Sequence, residues 1–171
     1  LRLTVNFTMY SNLMQIERID TLNKIKMWIF STDNEKYRKT QIKSSAHCLT
    51  PYWSVYYNQQ NAIGAHETGH LLSQTYWGYT KTDKFDFLLN EGFAFYVDEN
   101  GYFDFNFYNK AKEILKKKKY QISNITKENS KGKFKEKAII AGAFVKFLIE
   151  NYGLDKFVQL WKTIREDESE F

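Results

Sequence analysis

Residues His66-Glu67-Thr68-Gly69-His70 carry the side chains best suited to chemistry in this chain. An α-helix repeats about every 3.6 residues, so His66 and His70 lie one turn apart on one face and can aim two imidazoles at a single ion. Imidazole nitrogen suits zinc, and a catalytic zinc keeps three protein ligands and a water. Glu67 follows the first histidine and can reach the open side of such an ion. There a carboxylate can take a proton from a water whose pKa the ion lowers to about 7. The bland alternative is a helix whose histidines bind nothing. Against it, the chain has only 3 histidines, and two of them stand in this pattern.

A third ligand is offered by Glu91 in the segment Phe87-Leu88-Leu89-Asn90-Glu91-Gly92-Phe93-Ala94-Phe95-Tyr96. Leu88, Leu89, Phe93, Ala94, Tyr96 and Val97 fit an amphipathic helix better than an alternating strand. Glu91 is a lone carboxylate among them, and a buried charge needs a cation or a hydrogen-bonding partner. Otherwise it is a surface glutamate near a helix start, where the macrodipole favours it. Two histidines and a glutamate form a known catalytic zinc donor set.

These two segments together resemble the gluzincin metallopeptidases. Leu89-Asn90-Glu91-Gly92-Phe93-Ala94-Phe95-Tyr96 is most similar to the corresponding stretch of the aminopeptidase branch and of the small peptidase-MA-like domains. Residues 141–157, from Ala141 through Gly153 to Phe157, resemble the helix, glycine stop and next helix that end those compact domains. The resemblance covers about residues 24 to 162. It implies zinc on His66, His70 and Glu91, with Glu67 as general base. The chain also departs from the pattern. Where some gluzincins carry an aspartate that orients a ligand histidine, this sequence has Phe95, which leaves Asn90, Asp98 or a backbone carbonyl to do that work. No position matches the oxyanion-stabilising tyrosine or histidine by motif; Tyr76, Tyr79 and Tyr152 are the candidates, each with packing as its alternative role.

The composition bounds the rest. A length of 171 residues, 43% hydrophobic and 18% aromatic, suffices for one well-cored domain rather than two. No apolar run reaches the roughly 18 residues that a spanning helix needs. No signal peptide is evident from Leu1 onward, and the missing initiator methionine suggests an excised fragment. The 1 cysteine, Cys48, excludes an internal disulfide framework and reads as a packing residue. His47 beside it is either an orienting group for oxyanion or substrate, or a capped surface histidine. The net charge of +5 and pI near 9.1 come largely from Lys116–Lys119 and from the lysines between 127 and 137. Those runs read as a solvated helix end and a charged connector. They lack the interleaved aromatics of a nucleic-acid surface, so no nucleic-acid partner is expected.

Along the chain, the pattern predicts an opening helix from Leu3 to Ile19 and a strand at Lys26–Phe30. A short polar helix follows from Asn34 to about Gln41, capped by Asp33. A second strand is expected at Tyr52–Tyr57 behind Pro51. It should lie beside the cleft as an edge that an extended substrate can pair with. The histidine helix comes next, with Ala62, Ala65, Gly69 and Ser73 as a small-residue face. A loop from Gly78 to Asp86 leads to the glutamate helix, which Asn100-Gly101 stops. Further helices are predicted at Phe103–Lys119, Phe134–Asn151 with Gly153 as its stop, and Leu154–Ile164 with Phe157, Val158, Leu160 and Trp161 inward. Residues 120–132 form a polar connector, and the end beyond Arg165 is acidic and fraying.

The expected architecture is therefore α+β and zincin-like: a single domain over residues 1–171, with a small sheet and the zinc helix in about 1–75 and a helical part in about 85–168. The expected function is zinc-dependent hydrolysis of peptide bonds, by an endopeptidase, because the glycine-rich motif that holds a free amino terminus is missing. A catalytically idle zinc domain that binds other proteins is the alternative, and a membrane or nucleic-acid module using the lysine clusters is a third reading. The expected partner is a peptide or protein substrate, the expected state a monomer, and the expected compartment extracytoplasmic.

Overall fold

Among the described residues the strands are three and short, and only one of these is flanked on both sides. A computed structural model of the chain describes residues 25–59, 65–78, 87–98, 106–118, 120–121, 125–126 and 133–166. The predicted opening helix, Ala62, Tyr79, the Asn100-Gly101 stop and most of the 120–132 connector lie outside these residues. Strand β1 (Lys26–Phe30) matches the sequence expectation, and is followed by α1 (Asp33–Thr40), β2 (Ala46–Leu49), a 3₁₀ turn at Thr50–Tyr52, and β3 (Ser54–Asn58). The sheet order is β1-β3-β2. β1 runs parallel to β3, with Lys26 opposite Ser54, and β2 runs antiparallel to it, with Ala46 opposite Tyr57.

Three expectations are corrected by the sheet and its first helix. The aromatic strand is the centre of the sheet, not an edge, because β2 pairs with its far side. It also starts later than predicted. Pro51 sits in a tight turn closed by Trp53 N–H donating to the Thr50 carbonyl at 3.1 Å, and Trp53 takes φ 51°, so extended backbone begins only at Ser54. The α1 cap is also displaced. Thr32, not Asp33, accepts from Glu35 N–H at 3.1 Å, while the Glu35 carboxylate reaches back past the cap to the Ser31 N–H at 2.9 Å; the cap lies one residue earlier than expected. Asp33 instead accepts from the Asn58 amide at 2.7 Å and ties α1 to β3.

Alternation sorts the sheet's two faces. Val55 and Tyr57 of β3 pack on Leu71, which belongs to α2 (His66–Tyr76). The other face meets α1, whose buried Lys36 donates through Nζ to the Ser44 carbonyl at 2.6 Å and so holds the turn that enters β2.

The helical part follows: a π-helical turn at Phe87–Glu91, then α3 (Gly92–Asp98), α4 (Phe107–Lys117), α5 (Phe134–Tyr152) and α6 (Leu154–Glu166). α4 begins later than predicted because Asn106 caps it, accepting from Asn109 N–H at 3.2 Å. α5 stops at Gly153, whose φ of 85° suits glycine. In α6 the inward stripe is Phe157 and Trp161, both buried, while Leu160 is 37% exposed. Successive helical residues turn by about 100°, so Leu160 cannot share the face of its neighbour Trp161. Phe157 stacks on Phe93 of α3 at 5.8 Å, and Trp161 donates its indole N–H to the Gly78 carbonyl at 3.0 Å. The class is α+β, a three-stranded sheet followed by a mostly helical part. No helix among the described residues is long and apolar enough to cross a membrane.

Gly92 lets α3 lie directly on α5. A Cβ there would sit 2.8 Å from the Ala141 carbonyl oxygen and 2.8 Å from Val145 Cγ2, and the first of these is backbone that cannot rotate away. Gly92→Ala is therefore expected to cost about 1–3 kcal/mol, the usual range for overpacking, read as a lowered denaturation midpoint in urea. An unchanged midpoint would show that α3 and α5 can separate freely.

Candidate metal centre

Two helix pairs bring the histidines and Glu91 together. α2 presents His66 and His70 one turn apart, as their spacing requires. Gly69 lies between them in sequence and allows α3 to approach: a Cβ there would meet Val97 Cγ2 at 2.7 Å and the Ala94 Cα at 3.4 Å. Ala65 and Ser73 are buried on the same helix, which bears out three members of the predicted small-residue face. The start of α2 has no side-chain cap of its own. Asp98, at the far end of α3, supplies one by accepting the Ala65 N–H at 2.6 Å.

Glu91 ends the π turn immediately before α3. A wider turn of this kind is a local feature found often at functional sites. It allows the adjacent residues Asn90 and Glu91 both to reach α2, although successive residues of a regular α-helix point about 100° apart. His66 Nε2 lies 3.3 Å from Glu91 Oε2, His70 Nε2 lies 3.3 Å from Glu91 Oε1, and the two Nε2 atoms are 3.1 Å apart. One ligand atom from each of the three residues falls within 4.8 Å of the others.

The donor set fits a cation. Asn90 Oδ1 lies 2.9 Å from His70 Nδ1. An amide oxygen only accepts, so Nδ1 carries a proton and Nε2 is left with its lone pair toward the cluster. With His66 in the same tautomer, three electron-rich atoms converge, and the buried Glu91 Oε2 is left with no partner but the His66 nitrogen 3.3 Å away. Ligands about 2.0–2.2 Å from a tetrahedral ion stand about 3.4 Å from one another, close to the separations found here. Without a metal, protons take the cation's part. Burial disfavours a charged His70, but Glu91, with Glu67 adding, pushes its pKa up to about 9. Burial likewise opposes ionisation of Glu91, yet the two histidines hold its carboxyl well below the usual carboxylate range.

Glu67 is 8% exposed. Burial pushes its carboxyl above the ordinary value; His70 and then His66 pull it down, and the Glu91 charge raises it again. Such a group holds a proton more readily than a solvated glutamate does, which is what a general base near neutral pH requires.

The residues left open by the sequence resolve as follows. Asn90 orients His70, and Asp98 holds the helix start. Phe95 packs edge-on against the His66 ring at 4.9 Å, so this imidazole is held by an aromatic ring where a carboxylate was looked for. Tyr76 meets Trp53 edge-on at 6.4 Å and Tyr152 meets Phe147 edge-on at 6.0 Å; both residues are exposed. His47 stacks on Tyr56 at 4.8 Å with Nδ1 3.4 Å from Ser44 Oγ, on the α1 face of the sheet. Burial, with Lys36 adding, lowers its pKa to about 4, so it is a neutral packing histidine. Cys48, one residue on, faces α2, its Sγ 3.7 Å from Gln74 Oε1. Burial foremost, then the Glu67 charge, pushes its thiol up to about 12, which leaves it protonated and inert. What the sequence reading missed is β2 itself. Ala46-His47-Cys48-Leu49 has too few β-branched or aromatic residues to signal a strand.

Family models, curated protein sequences and solved structures were each compared with this chain, and none matches.

Proposed function

We propose that the chain is a zinc-dependent endopeptidase of gluzincin type, with a zincin-like arrangement of sheet and active-site helix. The observation that carries this reading is the convergence of His66, His70 and Glu91 within 4.8 Å beside the buried Glu67. The donor chemistry, two imidazoles and one carboxylate, favours zinc over calcium or magnesium, which take oxygen ligands. When bound, zinc supplies a Lewis acid and a water acidified to about pKa 7. His66 and His70 would hold it through Nε2 and Glu91 through its carboxylate. Asn90 fixes the His70 ring in the required tautomer, and Phe95 fixes the His66 ring by packing. Glu67 takes the water's proton on its carboxylate and hands it to the departing amine nitrogen, so the amine leaves neutral.

On this reading the substrate's docking rail is β2, since β3 is paired on both sides. Among the described residues β2 is an edge strand, and Cys48 places it against α2. An extended peptide can add to such an edge through main-chain hydrogen bonds, and a cleft met in this way accepts internal segments of a chain.

A second reading, an idle zinc domain that binds other proteins, is favoured by one observation: the ring contacts of Tyr76 and Tyr152 are with Trp53 and Phe147, not with either histidine. A library of peptides with blocked amino termini separates the two. The endopeptidase is expected to cut internal bonds, with cleavage lost on chelation and restored by zinc. Stoichiometric zinc binding without any chelator-sensitive cleavage would establish the idle domain instead.

A further inference from the structure

α4 and α5 leave between them a surface of unusual composition. α4 turns Phe107, Ala111 and Ile114 inward, yet Leu115 remains 45% exposed, and α5 leaves Phe144 39% and Phe147 44% exposed. These three side chains line one open groove of about 580 Å³, with Lys112 and Lys116 also on its walls. On the other flank of α4 lies a recess of about 350 Å³ that carries Lys110, Lys117, Lys118, Lys133 and Lys135 against Glu113 and Glu136. The two depressions together hold seven lysines and two glutamates. That local excess of five positive charges equals the net charge of +5 carried by the entire chain. The other residues sum to zero formal charge, and the lysines of these two depressions flank α4 on both sides, two of them beside the apolar groove.

Exposed leucine and phenylalanine beside clustered lysine make the pattern of a helix that lies in a membrane interface, with apolar groups at the acyl boundary and ammonium groups at the phosphates. Tyr152, 61% exposed, stands edge-on to Phe147 at 6.0 Å and adds an amphipathic ring of the kind that favours the headgroup level. We propose that the α4–α5 face docks onto an anionic phospholipid surface, with Leu115, Phe144 and Phe147 entering the interface and the surrounding lysines meeting the headgroup phosphates. A nucleic acid would also meet the lysines. Phe144 and Phe147 could stack on its bases, but the exposed Leu115 in the same groove offers neither a stacking face nor a hydrogen bond, and it is the aliphatic group that an acyl boundary accepts. This proposal does not depend on the metal site.

Co-sedimentation of the full chain with phospholipid vesicles tests it. Binding to phosphatidylcholine vesicles containing about a quarter phosphatidylglycerol is expected to exceed binding to pure phosphatidylcholine by at least tenfold. It should fall when salt rises from about 0.1 M to about 1 M, where the screening length shrinks from about 10 Å to about 3 Å. The pair Phe144→Ser and Phe147→Ser, and separately the pair Lys112→Glu and Lys116→Glu, should each lower partitioning about tenfold. All four positions are at the surface, so thermal unfolding should confirm an unchanged fold in each. Equal binding to both kinds of vesicle, or wild-type binding by both variant pairs, would overturn the proposal. Retention on heparin or DNA with no vesicle binding would overturn it too, and would assign the face to a polyanion.

Discussion

Glu67→Gln is expected to remove peptide cleavage while zinc remains bound. Glutamine keeps the shape of the side chain but cannot accept a proton from water at neutral pH. The loss should reach about 10²–10⁴-fold in kcat, the range for removal of a general acid–base group. Stability should hold or rise. Glu67 is buried, and its carboxyl is pushed above its ordinary value by that burial. A raised carboxyl pKa means that the charged form is disfavoured by folding, so a neutral isostere removes a cost present above that pKa. Three measurements therefore belong together: turnover falls, zinc content by elemental analysis does not, and the thermal midpoint stays or increases. Retained cleavage would remove Glu67 from the base role, and loss of zinc would make it a ligand or a support of the site.

The parts of this site that could be read from the sequence are those governed by local periodicity. His66 and His70 are four apart, and a helix of any origin puts them on one face. Glu91 was legible for a different reason: a lone carboxylate in an apolar segment demands a partner, and no local residue provides one. What could not be read is the contact that delivers it. That contact depends on Gly69 admitting Val97 and Ala94, on Gly92 admitting Ala141, and on the widened turn at Phe87–Glu91. Each is a tertiary approach between segments, and nothing in the spacing of one segment encodes it.

The sheet shows the same division. Lys26–Phe30 has enough aromatic and β-branched character to declare itself. Ala46–Leu49 is a strand only because β3 has a free side to pair with, and the preceding turn is pinned by the Lys36 ammonium at the Ser44 carbonyl. Missing it placed the edge on the wrong strand. The displaced cap of α1 is a finer case. Thr32 and Asp33 are both good capping residues, and the choice was made by Asn58, which draws the Asp33 carboxylate to β3 at 2.7 Å. At Phe95 no polar group is available to orient a histidine, and its edge-on contact with His66 at 4.9 Å shows packing holding the ring instead.

His70→Ala is expected to empty the site. His70 is the most enclosed member of the cluster: it is buried, its Nδ1 is 2.9 Å from Asn90 Oδ1, and its Nε2 is 3.3 Å from Glu91 Oε1. Removing the ring deletes one of the three proposed ligands and leaves the Glu91 carboxylate with less positive charge beside it. In the wild-type chain, zinc at 100 times its dissociation constant should stabilise the fold by about 2.7 kcal/mol, visible as a raised thermal midpoint that chelation reverses. His70→Ala should lose that gain together with the zinc. His47→Ala serves as the control, since His47 lies on the opposite face of the sheet, stacked on Tyr56. It removes a histidine and a half-buried ring yet should keep the zinc-dependent gain. A chain lacking His70 that still holds zinc at full occupancy would refute the ligand assignment. A loss of the gain in both variants would instead trace the metal's effect to histidines in general rather than to this triad.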